Sequence, residues 1–440
     1  MRILISIVLL LFVVTGASFA QEGPETGEES FKKRVLENTE IDLLAGFYSQ
    51  DGENAAVTGG RGTEELTDIA PTIVVSIPMN EDDVLTIDAG ISAYTSASSS
   101  NVDPFDGKGP ADPFTASSGA SASDVYANFT GTYSHSSDDR NKIWTAKLSV
   151  STEYDYFSAG VGGSYTRLFN EKNTELSFNA NIYLDTWNAI YPYELRPFGE
   201  GGNGLNNNLF NRIVGNEPYA PSFTEFDGET RNSYSVGLNF SQILSKKIQG
   251  SLALDLVQQE GLLSTPFQRV YFSDKPDVFI ENFHLADDVE RLPDTRFKIA
   301  AGGRLNFYLN EIFVIRSYYR FYTDDWGILS NTASVEVPVK ISQKFTLYPS
   351  YRYYDQNAAD YFGPYEEHLS TEEFYTSDYD LSEYTANQYG IGMKYTDIFT
   401  NFHLWHLGLK SVDLRYYHYQ RNSGLTSDLV SGGLNFILEK

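Results

Sequence analysis

Residues 174–186 read TELSFNANIYLDT. Leu176, Phe178, Ala180, Ile182 and Leu184 alternate with Glu175, Ser177, Asn179, Asn181, Tyr183 and Asp185. A strand turns successive side chains to opposite faces, so this segment has one apolar face and one polar face. The same pattern recurs near 37–49, 68–78, 84–95, 123–134, 143–154, 157–168, 231–243, 247–259, 295–308, 312–323, 332–342, 344–355, 386–397, 408–419 and 428–438. Roughly sixteen such strands predict an all-β chain folded as a transmembrane antiparallel β-barrel, apolar toward lipid and polar toward a lumen.

Loop lengths sharpen this expectation. Every second connection is short: 79–83, 134–142, 169–173, 244–247, 309–311, 342–344 and a compact turn near 398–407. All the long ones, 50–67, 96–122, 187–230, 260–294 and 356–385, fall in the other class. A transmembrane barrel segregates its loops in this way, with short periplasmic turns and long external loops. The basic residues follow the polar parity, as with Arg296, Lys298 and Arg304 against Phe297, Ile299 and Leu305. An Arg or Lys at the lipid midplane costs roughly 2–4 kcal/mol. In 408–419 the apolar parity shifts between Leu409 and Val412, which predicts a bulge.

The N-terminus supplies a route to a membrane. Arg2, an apolar run from Ile3 to Val14 and the small residues before Ala20 read as a secretory signal over 1–20. An N-terminal anchor is the alternative, but the run is short for a bilayer. The expected organisation is signal 1–20, periplasmic tail 21–36 and outer-membrane barrel 37–440. No cysteine is present, so disulfides, thiolate metal sites and cysteine nucleophiles are excluded. A net charge of −27 argues against nucleic acid as a partner, since phosphate binding requires a basic patch.

Candidate functional residues lie on the expected lumen face. Asp88, Lys147, Glu153, Asp185 and Asp255 come from the first part of the chain. Arg296, Lys298, Arg304, Arg316, Arg320, Lys340, Arg352, Lys394 and Arg415 come from the last third. Closure would set an acidic-to-mixed wall against a basic one, a field that selects solutes by charge. Mutual pairing of these charges in a plugged barrel is the equal alternative. Loop 356–385 carries Asp360, Glu366, Glu367, Glu372, Glu373, Asp378 and Asp380 without one Lys or Arg. That density reads first as a solvated surface and secondly as a Ca²⁺ site. His403 and His406 flank Trp405 in an expected periplasmic turn, where an interfacial aromatic role explains them more simply than a metal.

The runs YSQDGENAAVTGGRGTEELTDIAPTIVVSIP (48–78), IDAGISAYTSASSSN (87–101) and SSGASASDVYA (117–127) resemble the domain-of-unknown-function 3570 family. That resemblance implies an exported bacterial outer-membrane barrel and carries no activity or catalytic residue with it. The expected function is a porin-like passive channel for small polar or charged solutes, working by diffusion without chemistry or cofactor. A plugged barrel is the alternative, presenting its acidic external loops as a binding or assembly platform for an envelope partner. A lipid-acting enzyme is the third reading, for which His284 and His368 are the loop histidines to inspect.

Overall fold

Sixteen strands close into one antiparallel barrel in the computed structural model, which describes residues 33–95, 123–215 and 217–439. In chain order they are β1 (Glu40–Asp51), β2 (Leu66–Pro78), β3 (Asp83–Thr95), β4 (Ser123–Ser136), β5 (Lys142–Thr152), β6 (Tyr156–Phe169) and β7 (Thr174–Trp187). Then follow β8 (Thr230–Ser245), β9 (Ile248–Gly261), β10 (Thr295–Tyr308), β11 (Val314–Asp324) and β12 (Leu329–Glu336, resuming at Val339–Lys340). The last are β13 (Phe345–Leu347 and Ser350–Gln356), β14 (Tyr384–Thr396), β15 (Leu407–Arg421) and β16 (Thr426–Leu438). Each pairs with its sequence neighbours, and β1 closes the ring on β16 from Glu40↔Ile437 to Asp51↔Thr426. Among the described residues closure gives every barrel strand a partner on both sides, which a backbone in hydrocarbon requires. The expected signal and most of the expected tail fall on residues 1–32, outside the described residues, as does loop 96–122.

Local chemistry explains the irregularities. Pro338 and Pro349 interrupt β12 and β13, because proline brings no N–H to the ladder. The register shift between Leu409 and Ser411 is the bulge expected from the broken alternation. The expected turn at 398–407 carries a small hairpin of its own, with His403↔Gly408 and Leu404↔Leu407 paired.

Apolar rows face outward around the ring. Leu148 is 68% exposed, Leu252 64% and Ile91 51%, and comparable residues occur on nearly every strand. A belt of this extent in water would drive aggregation, whereas in a bilayer it is solvated. Arg167 departs from the expectation that basic residues keep the polar parity. It shares the outward row of Tyr165 and Phe169, with its guanidinium 4.9 Å from the Phe169 ring. It stands two residues from the end of β6, at interface depth, where the cost of a charge falls toward zero.

The tightest packing lies in the long loops rather than in the barrel wall. Tyr191, Leu195, Tyr219 and Phe223 from 187–230 bury against Tyr271, Ile280, Phe283 and Val289 from 261–294. Loop 356–384 joins through Tyr365, and through Tyr375 packed on Val270 and Phe272. These loops form a folded cap at the end of the barrel opposite the short turns.

Candidate functional site

The strand register fixes which side chains face the lumen. Arg415 Nη1 lies 3.0 Å from Glu336 Oε2 although β13 and β14 separate their strands. Side chains meet across two intervening strands only on the concave side, so these residues mark the interior. From β10 to β15 the register then defines three inward rungs. The lowest is Asn306, Arg316, Glu336, Ser350, Gly390 and Tyr417. Above it run Arg304, Tyr318, Ser334, Arg352, Gln388 and Tyr419. The third is Gly302, Arg320, Thr332, Tyr354, Ala386 and Arg421. Two residues of strand separate successive rungs, a rise of about 7 Å.

The lumen candidates that fall on strands lie on the concave parity, in different circumstances. Arg296 is tied down, donating to Asp324 at 2.9 Å and resting 4.1 Å from the Trp326 ring. Asp324 also accepts from the Tyr322 hydroxyl and the Trp326 and Ile328 amides, so this ion pair braces a strand end. Lys298 occupies the next inward position on β10, opposite Asp324 in the register. Arg316 shares Glu336 with Arg415. Arg304, Arg320 and Arg352 hold no ion pair among the described residues; Arg304 lies 5.2 Å from the Tyr318 ring. Lys340 and Lys394 fall on one rung through Thr346, and Lys394 faces Asp413. Asp185 accepts from the Tyr156 hydroxyl at 2.6 Å, and Asp255 sits opposite Gly237 and Ala300.

Three cavities succeed one another along this wall, and β15 borders all of them. The upper, about 470 Å³, lies between Tyr419 and Arg421 below and Val57, Gln268, Asp378 and Asp380 of the cap above. The middle, about 510 Å³, is bordered by Arg304, Arg316, Arg352 and Tyr417. The lower, about 810 Å³, is bordered by Asp42, Lys394, Lys410, Asp413 and Arg415 near the short turns. The Arg316–Glu336–Arg415 network stands between the middle and lower cavities.

The cap above is held by buried charge. Arg269 donates to both Glu194 oxygens, at 2.7 and 3.2 Å, and to the Val57 carbonyl at 3.1 Å, joining three loops. Glu290 is fully enclosed and accepts from the Thr265 amide at 2.7 Å and from the Thr376 hydroxyl. Burial, with the Asp378 charge beside it, pushes Glu290 up to about 8. Burial likewise lifts Asp287, and lifts Asp378 beside the charge of Asp380, each to about 6.

The carboxylates singled out for Ca²⁺ meet different partners. Asp378 accepts from Gln268, Asp380 pairs with Arg421 at 2.8 Å and Glu372 binds His368. Asp360 lies under Gly327, and Glu366 stands 3.7 Å from His284. Glu367 and Glu373 lie in the same loop with no partner among the described residues. Asp277, His284 and Glu366 bring possible ligand atoms within 4.8 Å of one another. The Tyr365 hydroxyl already occupies His284 Nδ1 at 2.6 Å, and burial holds that imidazole below its usual range. His284 and His368 are both buried in the cap. Among the described residues no histidine imidazole is hydrogen-bonded to a serine or threonine hydroxyl; the Ser273 hydroxyl donates to the His368 backbone carbonyl.

Sequence reading overlooked Glu336, which alternates between Val335 and Val337 and was legible from that alternation alone. It also overlooked Gln268, for which no local signal exists. A family model described as "Protein of unknown function (DUF3570)" matches residues 13–435. No match to a curated protein is found. Among solved structures the chain is similar to a bacterial polysaccharide outer membrane secretin, with TM-score 0.44, 9% identity and coverage of 91% of this chain and 98% of that one. It is similar to the outer membrane protein OpdK of Pseudomonas aeruginosa, with TM-score 0.36, 8% identity and coverage of 91% and 98%. A third is the CymD monoaromatic hydrocarbon channel, with TM-score 0.37, 8% identity and coverage of 92% and 89%.

Proposed function

The chain belongs to the DUF3570 family of proteins of unknown function, and from that premise we propose that its barrel is a passive conduit for small polar solutes across the outer membrane. One observation carries the reading: cavities of about 470, 510 and 810 Å³, each bordered by charged side chains, follow one another down β15, from beneath the cap to the short turns. A ring of sixteen strands has an interior wider than its own side chains fill, so water occupies it. Passage is diffusive, and no bond is made or broken. Selectivity arises from the basic wall of β10–β15, which Asp255 on β9 and Asp185 on β7 flank.

The cap favours a second reading, a closed barrel whose loops bind a partner, because three loops share a hydrophobic core and buried ion pairs. Planar-bilayer recording separates the two. The conduit reading expects discrete conductance steps from the purified protein. Silence from the wild type together with steps from Arg269→Ala, whose cap is loosened, assigns the cap as a lid over a working pore. Silence from both ends the conduit reading and leaves the binding platform.

A further inference from the structure

We infer that the middle cavity is a binding site for small hydroxylated organic anions, with the carboxylate or phosphate held between Arg304 and Arg352. The inference rests on the lumen being open to water, as the conduit reading holds, and it names the class of solute.

The charge balance points to an anion. Arg304, Arg316 and Arg352 line the cavity, and Glu336 is the one carboxylate among its lining residues. Glu336 is already engaged by Arg316 at 2.8 Å and by Arg415, from the lower cavity, at 3.0 Å. Arg304 and Arg352 are left exposed to the lumen without an ion pair among the described residues. They share one rung on β10 and β13, with the shorter Tyr318 and Ser334 positions between them. A guanidinium presents parallel N–H donors matched to the two oxygens of a carboxylate or phosphate.

The remaining lining suits hydroxyl groups. Asn306, Ser334, Ser350 and Gln388 are neutral donors and acceptors. Tyr318 and Tyr417 add aromatic faces of the kind on which a sugar ring rests. Arg304 is already positioned over Tyr318, so its guanidinium is partly oriented before a ligand arrives. A cavity of about 510 Å³ has room for a monosaccharide acid or phosphate with its water.

The experiment uses the full purified barrel with glucuronate, glucose 6-phosphate and glucose as probes. Titration calorimetry is expected to show binding of the charged sugars and not of glucose. Binding of glucuronate alone or of glucose 6-phosphate alone supports the site and assigns the oxyanion. Arg304→Gln/Arg352→Gln is expected to lower affinity at least about tenfold, the loss of two charge-assisted hydrogen bonds. Arg304→Lys/Arg352→Lys is expected to keep anion selectivity in a KCl gradient while losing part of the affinity, because lysine keeps charge without the fork. Heat-modifiable gel mobility verifies folding of each variant, and the comparison of glucuronate with glucose needs no variant. Equal binding of glucose and glucuronate, or unchanged anion binding by the Gln variant, overturns the site. Absence of conductance with binding intact sinks the conduit and leaves the site standing; absence of both removes both.

Discussion

Trp405 occupies a turn at φ 56°, a left-handed backbone that costs a bulky residue roughly 1–2 kcal/mol relative to glycine. It is also 90% exposed, beside Phe399 and Phe402 in the connection from β14 to β15. A strained, exposed tryptophan gains from a medium other than water, and the membrane interface offers one. With Trp144, Trp187 and Trp326 changed to Phe, brominated interfacial lipid should quench the Trp405 fluorescence. Quenching no greater than in detergent would reject the anchor. Leu148 gives the complementary prediction. It lies mid-strand on the outward row of β5, so Leu148→Arg should cost roughly 2–4 kcal/mol in urea unfolding from vesicles. A cost near zero would mean that Leu148 does not meet lipid.

At the scale of elements, the three large loops behave as one unit because they share buried charge. Removing one partner of Arg269–Glu194 strands the other in a dry site, a loss of about 3–5 kcal/mol. Glu194→Gln should therefore open the cap to protease cleavage in 187–230 and 261–294 while the strands stay protected. Glu290 sets the pH dependence. Its folded value of about 8 lies above its ordinary 4.5, so the folded cap holds a proton that the open cap releases. Its contribution to cap stability is full below about pH 4.5 and is lost as pH rises through about 8. Protease protection of the cap should fall across that window, and Glu290→Gln should flatten the fall. Protection that rises with pH would contradict the assignment.

Across the whole molecule, charge is sorted by surface. A net charge of −27 coexists with a basic inner wall, because the carboxylates concentrate in loops and the arginines on inward rungs. Screening at about 10 Å in 0.1 M salt shortens to about 3 Å at 1 M. Anion selectivity measured by reversal potential should therefore decline between those concentrations, and selectivity independent of salt would exclude a field set by exposed arginines. The architecture was readable in the sequence because lipid and water act on each residue separately. Leu176 and Asn179 carry their destinations in their own side chains, and period-two alternation survives without knowledge of the neighbours. The inward placement of Arg304 followed from Leu305 beside it for the same reason. The cap was not readable. Arg269 meets Glu194 and Val57 far along the chain, and Gln268 meets Asp378, without any periodic mark on those residues. Glu336 likewise reaches Arg415 only because ring closure bends β12 toward β15. Side-chain burial against solvent is a local property that residue order encodes directly; pairing between distant loops depends on which ends the closed barrel brings together, and only the tertiary structure decides that.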